Sequence, residues 1–177
     1  MAVLLLHGSC HCGAVAFEVE SRAPVPFMRC FCSICRKTSG GGGYTVNILG
    51  EASSLRVTRG GSSVRSYRAL KDKTRAAAGD EEGNLCQHRY FCPECASYLW
   101  AQSDEWAQWV YPYASAIDSE LPVPPATADI MLGSAAKWAD PRSQPAQGSS
   151  YDEYPPFSLE EWHRDHAEQT SGNQKSE

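Results

Sequence analysis

The sequence lacks any run of about 18 consecutive apolar residues, the length that a membrane-spanning helix requires. The apolar stretch at residues 1–6 is short, has no basic segment before it, and continues directly into His7 and Gly8. These features are unlike those of a secretory signal peptide. We therefore expect a protein that has no membrane partner and works in the cytoplasm, where cysteines remain reduced.

Basic residues are scarce relative to acidic ones, with 16 Lys and Arg against 21 Asp and Glu. The formal net charge is −5 at pH 7, and the pI is about 5.5. Such a chain has no excess of positive charge with which to attract nucleic acid or an anionic membrane. We therefore expect no nucleic-acid partner. The length of 177 residues and the hydrophobic content of 42% fit one globular domain with its own core.

Cysteine is the residue that the sequence uses unusually. Eight cysteines are present, and seven of them fall in three tight groups, namely Cys10-x-Cys12, Cys30-x-Cys32-x-x-Cys35 and Cys92-x-x-Cys95. In a reducing compartment, clustered cysteines indicate metal ligands rather than disulfides. Zinc prefers four thiolate or imidazole ligands arranged as a tetrahedron. Zinc is therefore the cofactor that this pattern predicts.

The spacing alone does not decide which cysteines share an ion. Joining Cys32 and Cys35 with Cys92 and Cys95 would produce a zinc ribbon, but 56 residues separate the two pairs. Zinc sites of that type usually have roughly 15–20 residues between their pairs. At least two groupings of the clustered cysteines therefore remain open.

The three cysteine groups stand within longer motifs that resemble one known family. Residues 8–15 read GSCHCGAV, residues 30–37 read CFCSICRK, and residues 89–95 read RYFCPEC. In this order they resemble the glutathione-dependent formaldehyde-activating enzymes, which share their domain with centromere protein V. The resemblance extends from about residue 8 to residue 118, and residues 158–163, SLEEWH, resemble the end of many members. Each motif alone is weak, but the combination is highly specific.

The resemblance implies two zinc ions with different roles. A structural zinc would be held by Cys10, Cys12, Cys92 and Cys95. A catalytic zinc would be held by Cys30, Cys32 and Cys35, because three protein ligands leave a fourth position for water or substrate. The remaining cysteine, Cys86, has no place in the family pattern. It is either a free thiol or the fourth ligand that closes the second site.

The resemblance also implies a carbon–sulfur lyase that condenses glutathione with formaldehyde to S-(hydroxymethyl)glutathione. Glutathione carries two carboxylates, and the cations nearest in sequence to the second zinc site are Arg29, Arg36 and Lys37, which we predict to anchor them. The glycine run from Gly40 to Gly43 would let a peptide-like ligand approach the backbone. Two alternatives remain: the same site acting on a different thiol or aldehyde, and a zinc-stabilised binding module without catalysis.

Alternating hydrophobicity predicts a mainly β domain with short strands. The predicted strands are 14–20, 44–49, 63–67, 88–92, 97–101 and 109–111. The family resemblance implies that these strands form the β-tent fold, stabilised by zinc.

We assign residues 1–125 to the zinc-binding β domain and residues 126–166 to a C-terminal extension that packs on it. Within the extension, the capping-box pattern SLEE predicts a short helix near residues 159–166. The polar segment 71–84 predicts a protruding loop, and the polar residues 167–177 predict a disordered tail.

Overall fold

A computed structural model describes residues 3–22, 28–38, 41–70, 85–124, 127–143 and 156. The chain divides into two units, residues 1–144 and residues 145–177. The described elements all belong to the first unit. The predicted loop at 71–84, the predicted helix near 159–166 and the predicted tail at 167–177 lie outside the described residues.

The described part of the first unit consists mainly of strands. In chain order these are β1 (Leu4–Ser9), β2 (Ala16–Ser21), β3 (Met28–Cys30), β4 (Thr45–Val46), β5 (Gly50–Glu51), β6 (Arg56–Arg59), β7 (Arg65–Leu70), β8 (Leu85–Phe91), β9 (Tyr98–Gln102), β10 (Trp109–Pro112) and β11 (Ala128–Ile130). One short helix, α1 (Ser33–Thr38), follows β3. Single 3₁₀ turns occur at Ala52–Ser54, Gly61–Ser63, Ala114–Ala116, Leu132–Ser134, Lys137–Ala139 and Pro141–Ser143.

The strands form three sheets, which we call the N-terminal, central and short sheets. The N-terminal sheet has the order β1-β2-β6, the central sheet β5-β10-β9-β8-β7, and the short sheet β11-β3-β4. Neighbouring strands run antiparallel except β11 and β3, which are parallel. The prediction of a mainly β chain is confirmed. Among the residues that the structure describes, no helix is long and apolar enough to cross a membrane.

Alternating hydrophobicity located six of the strands, namely β2, β4, β7, β8, β9 and β10. It did not locate β6, because every residue of that strand is exposed. It also did not locate β1, which begins with three consecutive leucines instead of an alternating pattern. The three-residue strand β11 lies beyond residue 125, yet it pairs with β3, so residues of the predicted extension contribute to the sheet that contains Cys30.

Side chains of the N-terminal and central sheets pack into one core. Three alternate residues, Val15, Phe17 and Val19, are each at most 1% exposed. Burial at every second position is expected for a strand with one buried face. The ring of Phe17 packs against Trp100 of β9, with ring centroids 5.1 Å apart. Burial of a side chain of this size contributes about 1.5–3 kcal/mol. Phe17 belongs to β2 and Trp100 to β9, so this contact joins the N-terminal sheet to the central sheet.

Tight turns follow β1 and β8, and they carry the outer cysteine pairs. After β1, the amide of Gly13 donates to the carbonyl oxygen of Cys10 at 2.9 Å, and φ at Gly13 is 74°. After β8, the amide of Ala96 donates to the carbonyl oxygen of Cys92 at 2.8 Å, and φ at Ala96 is 58°. This left-handed backbone is readily adopted by glycine but costs an alanine about 1 kcal/mol or more.

We expect Ala96→Gly to stabilise the protein by about 0.5–1 kcal/mol. The relief of the left-handed conformation should exceed the entropy that glycine adds to the unfolded chain. Urea unfolding measures the change. Ala101→Gly in the extended strand β9 is the matched control, and it should destabilise the protein by a similar amount. Destabilisation by both substitutions would contradict the role of the turn.

Candidate metal centres

The first cysteine group brings together the turns that follow β1 and β8. Its sulfur atoms all lie within 4.8 Å of one another and belong to Cys10, Cys12, Cys92 and Cys95. The Sγ atom of Cys12 is 3.5 Å from that of Cys10 and 3.8 Å from that of Cys92. A tetrahedron of thiolates with metal–sulfur bonds of ~2.3 Å has edges of about 3.8 Å. The group could therefore hold a metal ion as a closed set of four ligands.

Hydrogen bonds hold these sulfur atoms in place. The amide of Val15 donates to Sγ of Cys10 at 3.2 Å. The hydroxyl of Ser97 accepts from the amide of His11 at 3.1 Å and lies 3.2 Å from Sγ of Cys95, so it links the two turns. The hydrogen bond with Ser97 lowers the pKa of Cys95 to about 5. A thiol with a lowered pKa supplies the thiolate that a metal ion requires.

The second cysteine group lies where β3 continues into α1. Cys30 ends β3, Cys32 directly precedes α1, and Cys35 lies within α1. The amide of Cys35 donates to Sγ of Cys32 at 3.3 Å, and the three sulfur atoms lie within 4.8 Å of one another. Cys30 and Cys35 are only 9% and 5% exposed. The group could hold a metal ion with one ligand fewer than a closed tetrahedral site.

The sulfur atoms of the second group influence one another strongly. Hydrogen bonds from the thiols of Cys30 and Cys35 lower the pKa of Cys32 to about 2. The same close contacts raise the pKa of Cys35, and burial raises it further. Negative charges this close repel one another. All three sulfurs can therefore become thiolates only when a cation lies among them.

Arg89 of β8 packs against the second group. Its side chain is buried, with Nη2 3.9 Å from Sγ of Cys35 and Nη1 3.5 Å from Sγ of Cys86. Burial alone would lower the pKa of Arg89. The hydrogen bond to Cys86 and the negative forms of Tyr113 and the two cysteines outweigh burial and raise that pKa above its ordinary value. The guanidinium therefore remains charged.

A β-bulge explains how Cys86 and Arg89 meet. In a regular strand, residues three positions apart point to opposite faces. The pairing of β7 with β8 shifts register between Arg68 and Leu70, because β8 carries one extra residue there. This insertion changes the phase of the side chains and brings Cys86 to the face of Arg89. Within the described residues, Cys86 belongs to neither close group of sulfur atoms.

A cavity of about 570 Å³, which we call the thiol cavity, opens onto the second group. Besides all three cysteines of the group it is lined by Asn47, Arg68, Leu85, Cys86, Gln87, Arg89, Ser103, Asp104, Glu105, Trp106, Ile130 and Met131. A cavity of about 540 Å³ borders the first group, but only Cys10 of that group lines it. In the second group, all three cysteines therefore line a cavity that is large enough for a small ligand, whereas in the first group one cysteine does so.

The three cations predicted as glutathione anchors do not line the thiol cavity. Arg29 forms a two-point ion pair with Asp129, with Nε–Oδ1 at 2.6 Å and Nη2–Oδ2 at 2.8 Å. Arg36 and Lys37 line a separate cavity of about 550 Å³. Arg68 lines both that cavity and the thiol cavity. The assignment of the three cations as anchors stays a prediction.

The glycine run packs partly against the chain itself. Gly40 lies outside the described residues. Gly43 has a φ of 80°, and a Cβ atom at this position would lie 2.2 Å from Cβ of Ala139. Gly43 therefore has a structural reason to be glycine, namely the close approach of the Lys137–Ala139 turn.

The fold and the site together define a mainly β protein with two cysteine groups that could each hold a metal ion. Residues 5–132 match the family described as glutathione-dependent formaldehyde-activating enzyme. The chain therefore belongs to this family, as its motifs predicted.

The chain is also similar to two known proteins. A protein of Halomonas elongata named "Putative glutathione-dependent formaldehyde-activating enzyme" is 44% identical over 160 residues, covering 90% of this chain and 95% of the relative. The crystal structure of a Rhodobacter sphaeroides protein matches 66% of this chain and 91% of its own, with 26% identity and a TM-score of 0.48.

Sequence reasoning missed the charged residues of the thiol cavity. Arg89 stands in the last cysteine motif, but spacing gives no indication that it reaches Cys35, which is 54 residues away in sequence. Arg68 and Asp104 have no motif around them, although they form an ion pair of 3.1 Å at this cavity. The one available signal was Arg89 itself, a single arginine inside the predicted strand 88–92. Hydropathy does not indicate that such an arginine is buried.

We expect Cys92→Ser to leave the protein insoluble or unfolded at 25 °C. Cys92 is fully buried and contributes one sulfur to the first group, so its loss should remove metal binding that contributes directly to folding. Circular dichroism and metal analysis of the purified variant test this expectation. Cys86→Ser is the matched control, because Cys86 is a cysteine outside both groups. A soluble Cys92→Ser protein with an unchanged Tm would contradict a folding role.

Proposed function

We propose that this protein is a zinc-dependent carbon–sulfur lyase that condenses glutathione with formaldehyde to S-(hydroxymethyl)glutathione. The observation that carries the proposal is the second cysteine group, in which three sulfurs rather than four line a cavity of about 570 Å³. The family, and the name of the Halomonas elongata relative, support glutathione and formaldehyde as substrates. We assign the reaction to the cytoplasm, where reduced thiols persist.

Zinc suits both cysteine groups. Sets of three or four thiolates select soft or borderline ions, and zinc binds them without redox chemistry. In this proposal Cys10, Cys12, Cys92 and Cys95 hold a structural ion. Cys30, Cys32 and Cys35 hold the catalytic ion, whose remaining position is open to the substrate. Each chain then carries two zinc ions.

The proposed reaction forms one carbon–sulfur bond. Bound zinc would lower the pKa of the substrate thiol so that it reacts as a thiolate at neutral pH. The sulfur of glutathione adds to the carbonyl carbon of formaldehyde, and the proton lost by the thiol is recovered by the carbonyl oxygen. No oxidant or reductant is required. The protein contributes by holding the thiol and the aldehyde together, which converts a bimolecular step into a local one.

Charged residues at the thiol cavity match the charges of glutathione. Arg68 is a partly exposed cation there, and Asp104, which is 70% exposed, is its anionic neighbour. A carboxylate of glutathione could pair with Arg68, and the ammonium group with Asp104. Arg36 and Lys37 line the adjoining cavity that also includes Arg68, so they remain proposed anchors for a second carboxylate. Arg29 is the weakest of the predicted anchors, because Asp129 already occupies its guanidinium.

A second candidate is the same chemistry on a different thiol or a larger aldehyde. Trp106 and Met131 line the thiol cavity and are 47% and 57% exposed. Formaldehyde is too small to need such an apolar wall, whereas a substituted aldehyde would gain from contact with it. The third candidate is a binding module without catalysis. It does not explain why a cavity of ligand size lies beside the three cysteines of the second group.

We expect Cys32→Ser to remain folded but to lose about one of two zinc ions. Cys32 belongs to the second group, which does not join β1 to β8. Inductively coupled plasma mass spectrometry gives the zinc content, and thermal unfolding gives the Tm. Cys86→Ser should retain both ions, since its sulfur lies outside the group. If Cys86→Ser alone loses the second ion, Cys86 is a ligand and the open-site assignment is wrong.

We expect reduced glutathione to bind through its thiol and its exchange with formaldehyde to be accelerated. Exchange NMR with labelled formaldehyde measures interconversion with and without the protein. S-methylglutathione keeps both carboxylates but supplies no thiolate, so it should bind at least about 10-fold more weakly. The Cys32→Ser variant is the matched control. Rates equal to the uncatalysed reaction, together with equal binding of the methylated analogue, would favour the binding module.

A further inference from the structure

Arg89 is a buried cation without an acidic partner among the described residues. It is 3% exposed, and within the described residues no carboxylate lies in salt-bridge contact with it. Its polar contacts are Sγ of Cys35, Sγ of Cys86 and the carbonyl oxygen of Gln87, and Nε has no hydrogen-bond partner there. A buried charge is strongly destabilising unless an opposite charge lies near it. Tyr113 also lies near Arg89, but burial raises the pKa of its phenol, which therefore stays neutral at pH 7. The sulfur atoms are the remaining described groups near Arg89 that can supply the charge.

The charge of a zinc ion with three thiolates matches this requirement. Three thiolates and one Zn²⁺ carry a net charge of −1, which a single guanidinium beside the group balances. To be one of these ligands Cys35 must lose its proton, and its sulfur lies 3.9 Å from Nη2 of Arg89. A cation this close favours the thiolate of Cys35, so Arg89 should favour the metal-loaded state over the metal-free state.

The two cysteine groups differ in their need for such a cation. The first group would carry −2 with zinc, but Cys12 is exposed and solvent can screen the charge. In the second group Cys30 and Cys35 are buried, so solvent screening is weak. Arg89 approaches the buried group, with Nη2 at 3.9 Å from Cys35.

We propose that Arg89 is the counter-cation of the Cys30–Cys32–Cys35 centre and a positioning residue that sets its affinity for a divalent ion. This inference rests on the proposed function in one respect, that this group is a zinc site. By neutralising the loaded centre, Arg89 also reduces the repulsion that an incoming glutathione thiolate would meet. The bulge in β8 is the structural device that brings Arg89 and Cys86 to the same face.

The first test measures zinc affinity, without glutathione or activity. Arg89→Gln and Arg89→Lys are compared with wild type by competition with a chromophoric chelator at fixed pH. Arg65→Gln is the matched control, because Arg65 is an exposed arginine of the neighbouring strand whose described contacts are carbonyl oxygens. We expect Arg89→Gln to weaken the second zinc ion by about 10- to 100-fold and to leave the first unchanged. Arg89→Lys should lose less affinity, and Arg65→Gln none.

The outcomes separate this inference from the proposed function. If the wild-type protein binds only one zinc ion, the second cysteine group is not a zinc site and the proposed function is wrong. Wild-type protein that binds two, with Arg89→Gln unchanged in affinity, would overturn the role of Arg89 alone. Equal loss in Arg89→Lys and Arg89→Gln would also overturn it, because the charge would then be irrelevant.

A double-mutant cycle keeps the test decisive if Arg89→Gln is unstable. Arg89→Met is measured by urea unfolding in zinc-loaded wild type and in a background where Cys30, Cys32 and Cys35 are all serine. In the serine background the guanidinium has lost its counter-charge, so Arg89→Met should be neutral or stabilising there and destabilising in the wild type. Equal destabilisation, or failure to fold, in both backgrounds would show that Arg89 serves the fold independently of the cysteines.

Discussion

The meeting of four sulfur atoms beyond the ends of β1 and β8 is the constraint on which the rest of this structure depends. Cys12 and Cys92 are 80 residues apart in sequence, yet their sulfur atoms lie 3.8 Å apart. Closing a loop of that length costs conformational entropy, which a bound metal ion would offset. The turns that carry the cysteines also end both strands, so they determine where the N-terminal and central sheets meet.

Strand β8 connects this constraint to the second cysteine group. The strand ends directly before Cys92, and three residues earlier it carries Arg89, which contacts Cys35. A strand paired on both sides, with β7 and β9, has little freedom to shift. The position of the buried cation beside the second group is therefore set largely by the packing that holds the first group together.

The family motifs predicted more of the site than the spacing of the cysteines could. The resemblance implied the groups 10/12/92/95 and 30/32/35, and the sulfur atoms come together in those groups. Spacing left the pairing open, because the path of the 56 intervening residues decides which cysteines meet. Arg89, the bulge in β8 and the parallel pairing of β11 with β3 were not predictable, since each depends on contacts between distant segments.

The difference between the two groups follows from the number of ligands and the burial of each group. Four sulfurs complete a tetrahedron, so an ion bound by the first group would have no free position for a substrate. Three sulfurs leave one position free, but burial makes the resulting negative charge costly. A site of the second kind therefore needs both a cavity for its ligand and a cation for its charge. The thiol cavity and Arg89 lie beside the Cys30–Cys32–Cys35 group, where both requirements arise.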